Sequence, residues 1–297
     1  MTRSLRERLA AAPITWGVCE VPGWGHQLSP DDVLSDMAAL GFTHTEFGSV
    51  GFLPTDGHEL AALLRRYGLS LLGGFVAVVL HDPYRLEAEI ARVASVVAQM
   101  AAAGGTWFVS CPVFDHDDWQ RPDLDEAEWH QIFRGFAAID TVTAESGMQH
   151  AFHPHWGSLV QEDVETCAVL EHTDTQLVLD TAHLTLGGSD PAALVASHAD
   201  RIGLVHLKDV DPVVAERLRS SDVTLMQAVQ QGLFPPLGQG SVPLADIIHA
   251  LEQERPELSY VLEQDAALSG PDAADVERLR RDVVRSLKFV QEFDAAR

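Results

Sequence analysis

The chain has 297 residues, 46% of them hydrophobic, which is enough for a full core in one large α/β barrel or in two ordinary domains. With 44 acidic against 20 basic residues its formal net charge is −24, which repels phosphate backbones and argues against a nucleic-acid partner. The apolar stretches Leu69–Leu80 and Met100–Val109 are too short or too glycine-interrupted to span a bilayer, residues 1–12 lack the apolar middle of a signal peptide, and three scattered cysteines without a CxxC suit a reducing, cytoplasmic setting.

Eight short apolar or β-branched runs read as strands: Pro13–Gly17, His44–Gly48, Leu69–Val76, Thr106–Pro112, Gln149–His155, Leu177–His183, Ile202–Asp209 and Tyr260–Asp265. Stretches of helical period lie between them. Pro30–Leu40 opens on Ser29-Pro30 and stops at Gly41; Leu86–Ala103 stops at Gly104-Gly105; Glu126–Glu145 stops at Gly147; the chain closes on Ala273–Phe293. Strand starts recur roughly every 25–40 residues, a βα spacing. The expectation is a single-domain (β/α)8 TIM barrel over residues 1–297, with 1–12 as an N-terminal extension. A doubly wound sheet would show a Gly-rich phosphate loop after the first strand, where this chain has Trp16-Gly17-Val18-Cys19-Glu20. Residues 211–240 break the even spacing. They form an insertion after strand seven, on the catalytic face, with helical pieces at Val214–Arg219 and Leu225–Gln231.

In such a barrel the active site forms at the C-terminal strand ends. There the last four strands deliver His153, Asp180, His206 and Glu263, each after an apolar run. A single histidine at a strand end is ordinarily a hydrogen-bonded structural residue, and Asp180 alone could cap the next helix. Four such residues at one depth on adjacent strands would converge. Two imidazoles and two carboxylates suit a divalent ion such as manganese, cobalt or zinc.

At these segments the sequence resembles the xylose-isomerase-like superfamily of sugar isomerases, epimerases and lyases, and within it the inosose dehydratase branch. The likeness runs from about Pro13 to Asp265. Its residues are Pro13-Ile14-Thr15-Trp16-Gly17, Thr45-Glu46-Phe47-Gly48, Gly73-Gly74-Phe75, His153-Pro154-His155-Trp156-Gly157-Ser158, Asp180-Thr181-Ala182-His183-Leu184, Gly187-Gly188-Ser189-Asp190-Pro191, His206-Leu207-Lys208-Asp209 and Glu263-Gln264-Asp265. The resemblance implies a metal held by Asp180, His206 and Glu263, with His153 where most members carry Glu. That exchange removes one of the two opposed glutamates an epimerase of this type uses, and it suits the dehydratase branch.

The implied reaction is a metal-assisted elimination on a polyol or keto-sugar, 2-keto-myo-inositol being the type substrate, with manganese or cobalt ranked before zinc. Glu263 or His183 would be the base that removes a proton next to the ketone. His155 or Lys208 would be the acid, or would hold the substrate oxygen. Lys208 could equally be a buried partner of Asp180 or Glu263. Glu46 could bind substrate hydroxyls or pair with a cation inside the barrel. Trp16, Trp24 and Trp156 could floor or wall a sugar pocket, with core packing as the default. Glu20, His26 and His81 lie in loops where a substrate contact is plausible. The alternatives are a keto-sugar isomerase or epimerase, a 3-keto-glycoside lyase, and a non-catalytic sugar-binding barrel. A homo-oligomer is common in such enzymes, yet no interface is legible, and no membrane partner is expected.

Overall fold

The computed structural model describes residues 3–21, 23–117, 119–270 and 273–296. Eight parallel strands close on themselves in chain order: β1 (Leu9–Ala11), β2 (His44–Glu46), β3 (Ser70–Val78), β4 (Trp107–Pro112), β5 (Gln149–Phe152), β6 (Gln176–Asp180), β7 (Ile202–Leu207) and β8 (Ser259–Leu262), with β8 pairing back onto β1. Around them run α1 (Pro30–Ala39), α2 (Gly57–Arg66), α3 (Leu86–Ala102), α4 (Glu126–Glu145), α5 (Asp163–His172), α6 (Thr181–Leu186), α7 (Pro191–His198), α8 (Pro212–Arg219), α9 (Leu225–Gln230), α10 (Leu244–Glu254) and α11 (Ala273–Ala295). The result is a TIM barrel. Among the described residues no helix is long and apolar enough to cross a membrane.

The local chemistry explains the boundaries. Ser29 accepts the Asp32 N–H at the start of α1 with Pro30 in the first turn, and Asp125 with Glu128 forms a capping box on α4. Helices α3 and α4 stop where Gly104 (φ 88°) and Gly147 (φ 72°) take the left-handed conformation. Val93, Val96, Val97 and Met100 of α3 face the sheet and are buried in the main core.

A second, separate cluster fills the barrel itself: Ala10, Ala12, Leu72, Trp107, Val109, Ala151, Val178, Leu204 and Val261. Trp107 occupies so much of this interior that a Cβ on Gly203 would lie 2.5 Å from its ring and one on Gly73 2.7 Å from its own Cβ. The barrel is packed, not hollow.

The first strand is displaced from its expected place. Pro13–Trp16 forms a short 3₁₀ turn, and β1 lies at Leu9–Ala11, inside the segment read as an N-terminal extension. Leu9, Ala10 and Ala11 pair with Tyr260, Val261 and Leu262, and Ala11 with Thr45. Pro13 has no N–H for a ladder, and an Ala-rich run carries little strand signal, so pairing partners rather than local preference make β1.

The 211–240 segment folds as α8, α9 and a loop. Buried Asp209 fixes the return of that loop by accepting four backbone N–H groups, from Val210 and Val242 on one oxygen and from Gly238 and Gly240 on the other.

Candidate active site and metal centre

Strand alternation builds the site in layers. Ala151, Val178, Leu204 and Val261 belong to the interior apolar layer, and two residues further along each strand stand His153, Asp180, His206 and Glu263. Because the side-chain period is two, these four point inward one layer above the apolar fill. One more step of two reaches His155, Lys208 and Asp265.

The four expected ligands converge. One ligand atom from each lies within 4.8 Å of the others, close to the ~4.2 Å that separates opposite ligands at metal–nitrogen bonds of about 2.1 Å. His153 Nε2 is 3.4 Å from Asp180 Oδ2, and His206 Nδ1 is 2.8 Å from Glu263 Oε2 and 3.8 Å from Asp180 Oδ2. Asp180 divides its two oxygens. Oδ1 caps α6 by accepting the N–H groups of Ala182 (2.9 Å) and His183 (2.7 Å), while Oδ2 is buried without a hydrogen-bond partner. An orphaned buried carboxylate oxygen facing two imidazoles is what a cation would satisfy.

Electrostatics agree with that fit. His206 donates Nε2–H to Glu46 Oε1 at 3.2 Å, which leaves Nδ1 toward Asp180 and Glu263. Although burial opposes its charge, Glu46 and Glu263 hold the imidazole well above its usual range, so the site favours positive charge at this point. Asp180 and Glu263 are held well below the carboxylate range against burial, chiefly by Lys208. The Glu46–His206 contact orients the imidazole as a carboxylate–histidine pair does behind a metal.

Lys208 is fully buried, its ammonium 2.7 Å from Asp265 Oδ1, 3.1 Å from Glu263 Oε2 and 3.7 Å from Asp180 Oδ2, with the Phe234 ring 4.8 Å away. Its carboxylate partners outweigh burial and keep it protonated. His155 gives Nδ1–H to the Trp156 carbonyl at 2.8 Å and lies ring to ring with His183 at 3.7 Å. Burial is the main force that holds both imidazoles neutral, and it lowers His155 to about 3.

A cavity enclosing about 690 Å³ of empty space, mouth included, opens above this cluster. Its floor holds His153, His155, Glu46, Glu263 and Asp265, and its walls Ile14, Val18, Val21, Trp24, Phe75, Trp119 and Leu225. Leu225 comes from the 211–240 segment. No lysine or arginine lines the cavity among the described residues.

Several expected contacts fall elsewhere. Trp16 is fully buried in the core and donates its indole N–H to Asp36 at 3.3 Å, so it does not face the cavity. Trp156 packs its ring against the core and serves through its backbone, the carbonyl to His155 and the N–H to His183 Nδ1 at 3.2 Å. His183 and Lys208 stand behind the cavity lining. His81 stacks on Phe114 at 4.9 Å, away from the cavity. Trp119, Asp265 and Leu225 line the cavity although the sequence reading gives none of them a role in the site. Asp265 was legible as the next inward position after Glu263. Trp119, 5.2 Å from the His155 ring, sits in a polar loop with no periodic signal.

The comparisons agree with this fold. A family model described as a xylose isomerase-like TIM barrel matches residues 34–288. An inosose dehydratase of Geobacillus kaustophilus (strain HTA426) is 32% identical over 282 residues, 89% of this chain and 90% of that protein. The rhizopine catabolism protein MocC of Rhizobium meliloti is 31% identical over 82% of this chain and 77% of its own length. Among solved structures, the IOLI protein with a bound zinc atom superposes with a TM-score of 0.70 at 15% identity, covering 97% of this chain and 98% of that one, a likeness of fold alone. The chain is an enzyme of the xylose isomerase-like TIM barrel family.

Proposed function

We propose that this enzyme is a divalent-metal-dependent dehydratase of an inosose-like cyclic polyhydroxy ketone, with 2-keto-myo-inositol as the type substrate. The observation that carries the reading is His153 within the four-residue cluster of a chain 32% identical to an inosose dehydratase across 89% of its length. An epimerase would be favoured by His153 standing away from the ion with a second carboxylate facing Glu263 across the pocket; His153 instead lies 3.4 Å from Asp180 Oδ2. A cavity lined by carboxylates and free of lysine and arginine favours an unphosphorylated substrate.

His153, Asp180, His206 and Glu263 would hold the ion, manganese or cobalt before zinc, and Glu46 would orient His206. When bound there, a divalent cation supplies Lewis-acid polarisation of the ketone. Glu263 serves as the base that removes the neighbouring proton. His155, with its Nδ1–H committed to Trp156, offers the Nε2 lone pair to a substrate hydroxyl. Lys208 positions Glu263 and Asp265 and moves no proton. His183 positions the His155 ring by contact. The aromatic and aliphatic walls exclude water and cover the C–H faces of the ring.

The test is NMR of manganese- or cobalt-loaded enzyme with 2-keto-myo-inositol in deuterium oxide. Loss of one water, abolished by chelator, is the expected result. Deuterium entry next to the ketone without water loss would make the enzyme an epimerase or isomerase.

A further inference from the structure

A dehydration moves two protons, one off carbon and one onto the departing hydroxyl. In this cavity Glu263 can take the first, but His155 and Lys208, the two groups read as the acid from sequence, do not supply the second. Lys208 is absent from the cavity lining and holds three carboxylates. His155 has its only neutral-state N–H on the Trp156 carbonyl.

The cavity carboxyls differ in their commitments. Glu46 is hydrogen-bonded to His206, Glu263 is hydrogen-bonded to His206 and ion-paired with Lys208, and Asp265 is ion-paired with Lys208. Glu20 lines the same cavity, and among the described residues its carboxyl is hydrogen-bonded to its own backbone amide alone. It rides on the loop between β1 and α1, and that loop is fastened on both sides of it. Cys19 O accepts from Gln27 Nε2 at 2.6 Å and Cys19 Sγ from the Val21 N–H at 3.4 Å; Trp24 Nε1–H reaches Ala266 O at 2.8 Å and the His26 N–H reaches Leu268 O at 2.8 Å. The loop thus presents a carboxyl to the cavity, and among the described residues no ion pair holds it.

We propose that Glu20 is the general acid that protonates the departing β-hydroxyl, a role that rests on the dehydratase reading above. Glu263 takes the hydrogen next to the ketone as a proton, and the C–H electron pair becomes the new carbon–carbon double bond. The C–O pair leaves with oxygen, and the Glu20 proton completes a molecule of water. Glu263 releases its proton to solvent and Glu20, left as a carboxylate, regains one from solvent, so no oxidant or reductant is consumed. Protein crowding on most sides raises the Glu20 carboxyl to about 7 even though water reaches the residue, and the negative charges of Glu263 and Asp265 add to the effect. Glu46, His153 and His155 share its cavity, and the Cys19 and Cys111 thiols lie within its field. A proton is therefore available near neutral pH.

The test compares manganese-loaded wild type with Glu20→Gln and Glu20→Asp on 2-keto-myo-inositol in deuterium oxide, following deuterium entry and water loss as separate NMR signals. Glu20→Gln is expected to keep deuterium entry within a few-fold while water loss falls about 10²- to 10⁴-fold, and Glu20→Asp to retain part of it. The wild-type decline of water loss as pH rises through about 7 should vanish in Glu20→Gln. Equal water loss in Glu20→Gln and wild type overturns the role, as does parallel loss of both signals in a folded variant. Absence of water loss in the wild type overturns the dehydratase reading itself. Independently of activity, a carbon-13 titration of glutamate carboxyls in metal-free protein should show one resonance, missing in Glu20→Gln, titrating near 7. Titration of that resonance in the ordinary glutamate range overturns the assignment.

Discussion

His150 on β5 and His153 just past its end are three residues apart and meet opposite fates. His150 points out of the barrel toward α4, where Nε2 is 2.6 Å from Ser110 Oγ and Nδ1 2.7 Å from Asp140 Oδ1, while Asp140 Oδ2 accepts from Thr175 at 2.7 Å. The group has the residue types of a serine–histidine–aspartate triad, but Ser110 is fully buried and every polar atom has a partner. His153 points inward to an orphaned Asp180 oxygen, with its own Nδ1 also unpartnered, at the floor of an open cavity. The difference teaches that residue types do not separate a strut from a site. Satisfaction does: a closed network stabilises, and buried polar atoms left open toward a cavity await a ligand.

That contrast can be broken at either end. The largest effect is expected from Asp180→Asn. The amide keeps the Oδ1 cap on α6, so the fold should hold, while the charge facing the imidazoles is lost. Water loss from 2-keto-myo-inositol should fall about a thousandfold, since the ion's contribution is several kcal/mol at ~1.4 kcal/mol per decade. Retained turnover would remove the ion from the reaction. Next, Glu46→Gln withdraws the carboxylate behind His206, and calorimetric titration with manganese should show affinity reduced about 10- to 100-fold. Unchanged affinity would make Glu46 a substrate contact only. Smallest for turnover, Ser110→Ala should leave catalysis within about two-fold and lower unfolding free energy in urea by about 1–3 kcal/mol, by leaving His150 short of a partner. A large loss of turnover with unchanged stability would give the outer network a role in the reaction.

Much of the fold was legible because strands and helices announce themselves through period. The expected runs for β2, β3, β4 and β7 begin within a residue of the observed strands, and the ends of α1, α3 and α4 were fixed by Ser29, Gly104 and Gly147. The four residues of the cluster were legible for the same reason, each closing an apolar run. What stayed hidden depends on contacts distant in sequence. β1 is a strand only through β2 and β8, and Trp16 shares its aromatic character with Trp24 and Trp119, yet only the latter two reach the cavity. Asp209 could be seen in the motif, but not that it holds the insertion loop. Helices α2, α5, α7 and α10 are short, and packing supplies much of what their own pattern does not.

The central claim is that His153, Asp180, His206 and Glu263 form one metal site, and metal analysis tests it most directly. Wild type and Asp180→Asn would be stripped with chelator, equilibrated with manganese and passed through a desalting column. About one ion per chain in the wild type and almost none in Asp180→Asn is the expected result. A wild type that retains no ion, or an Asp180→Asn that retains as much, would contradict the account.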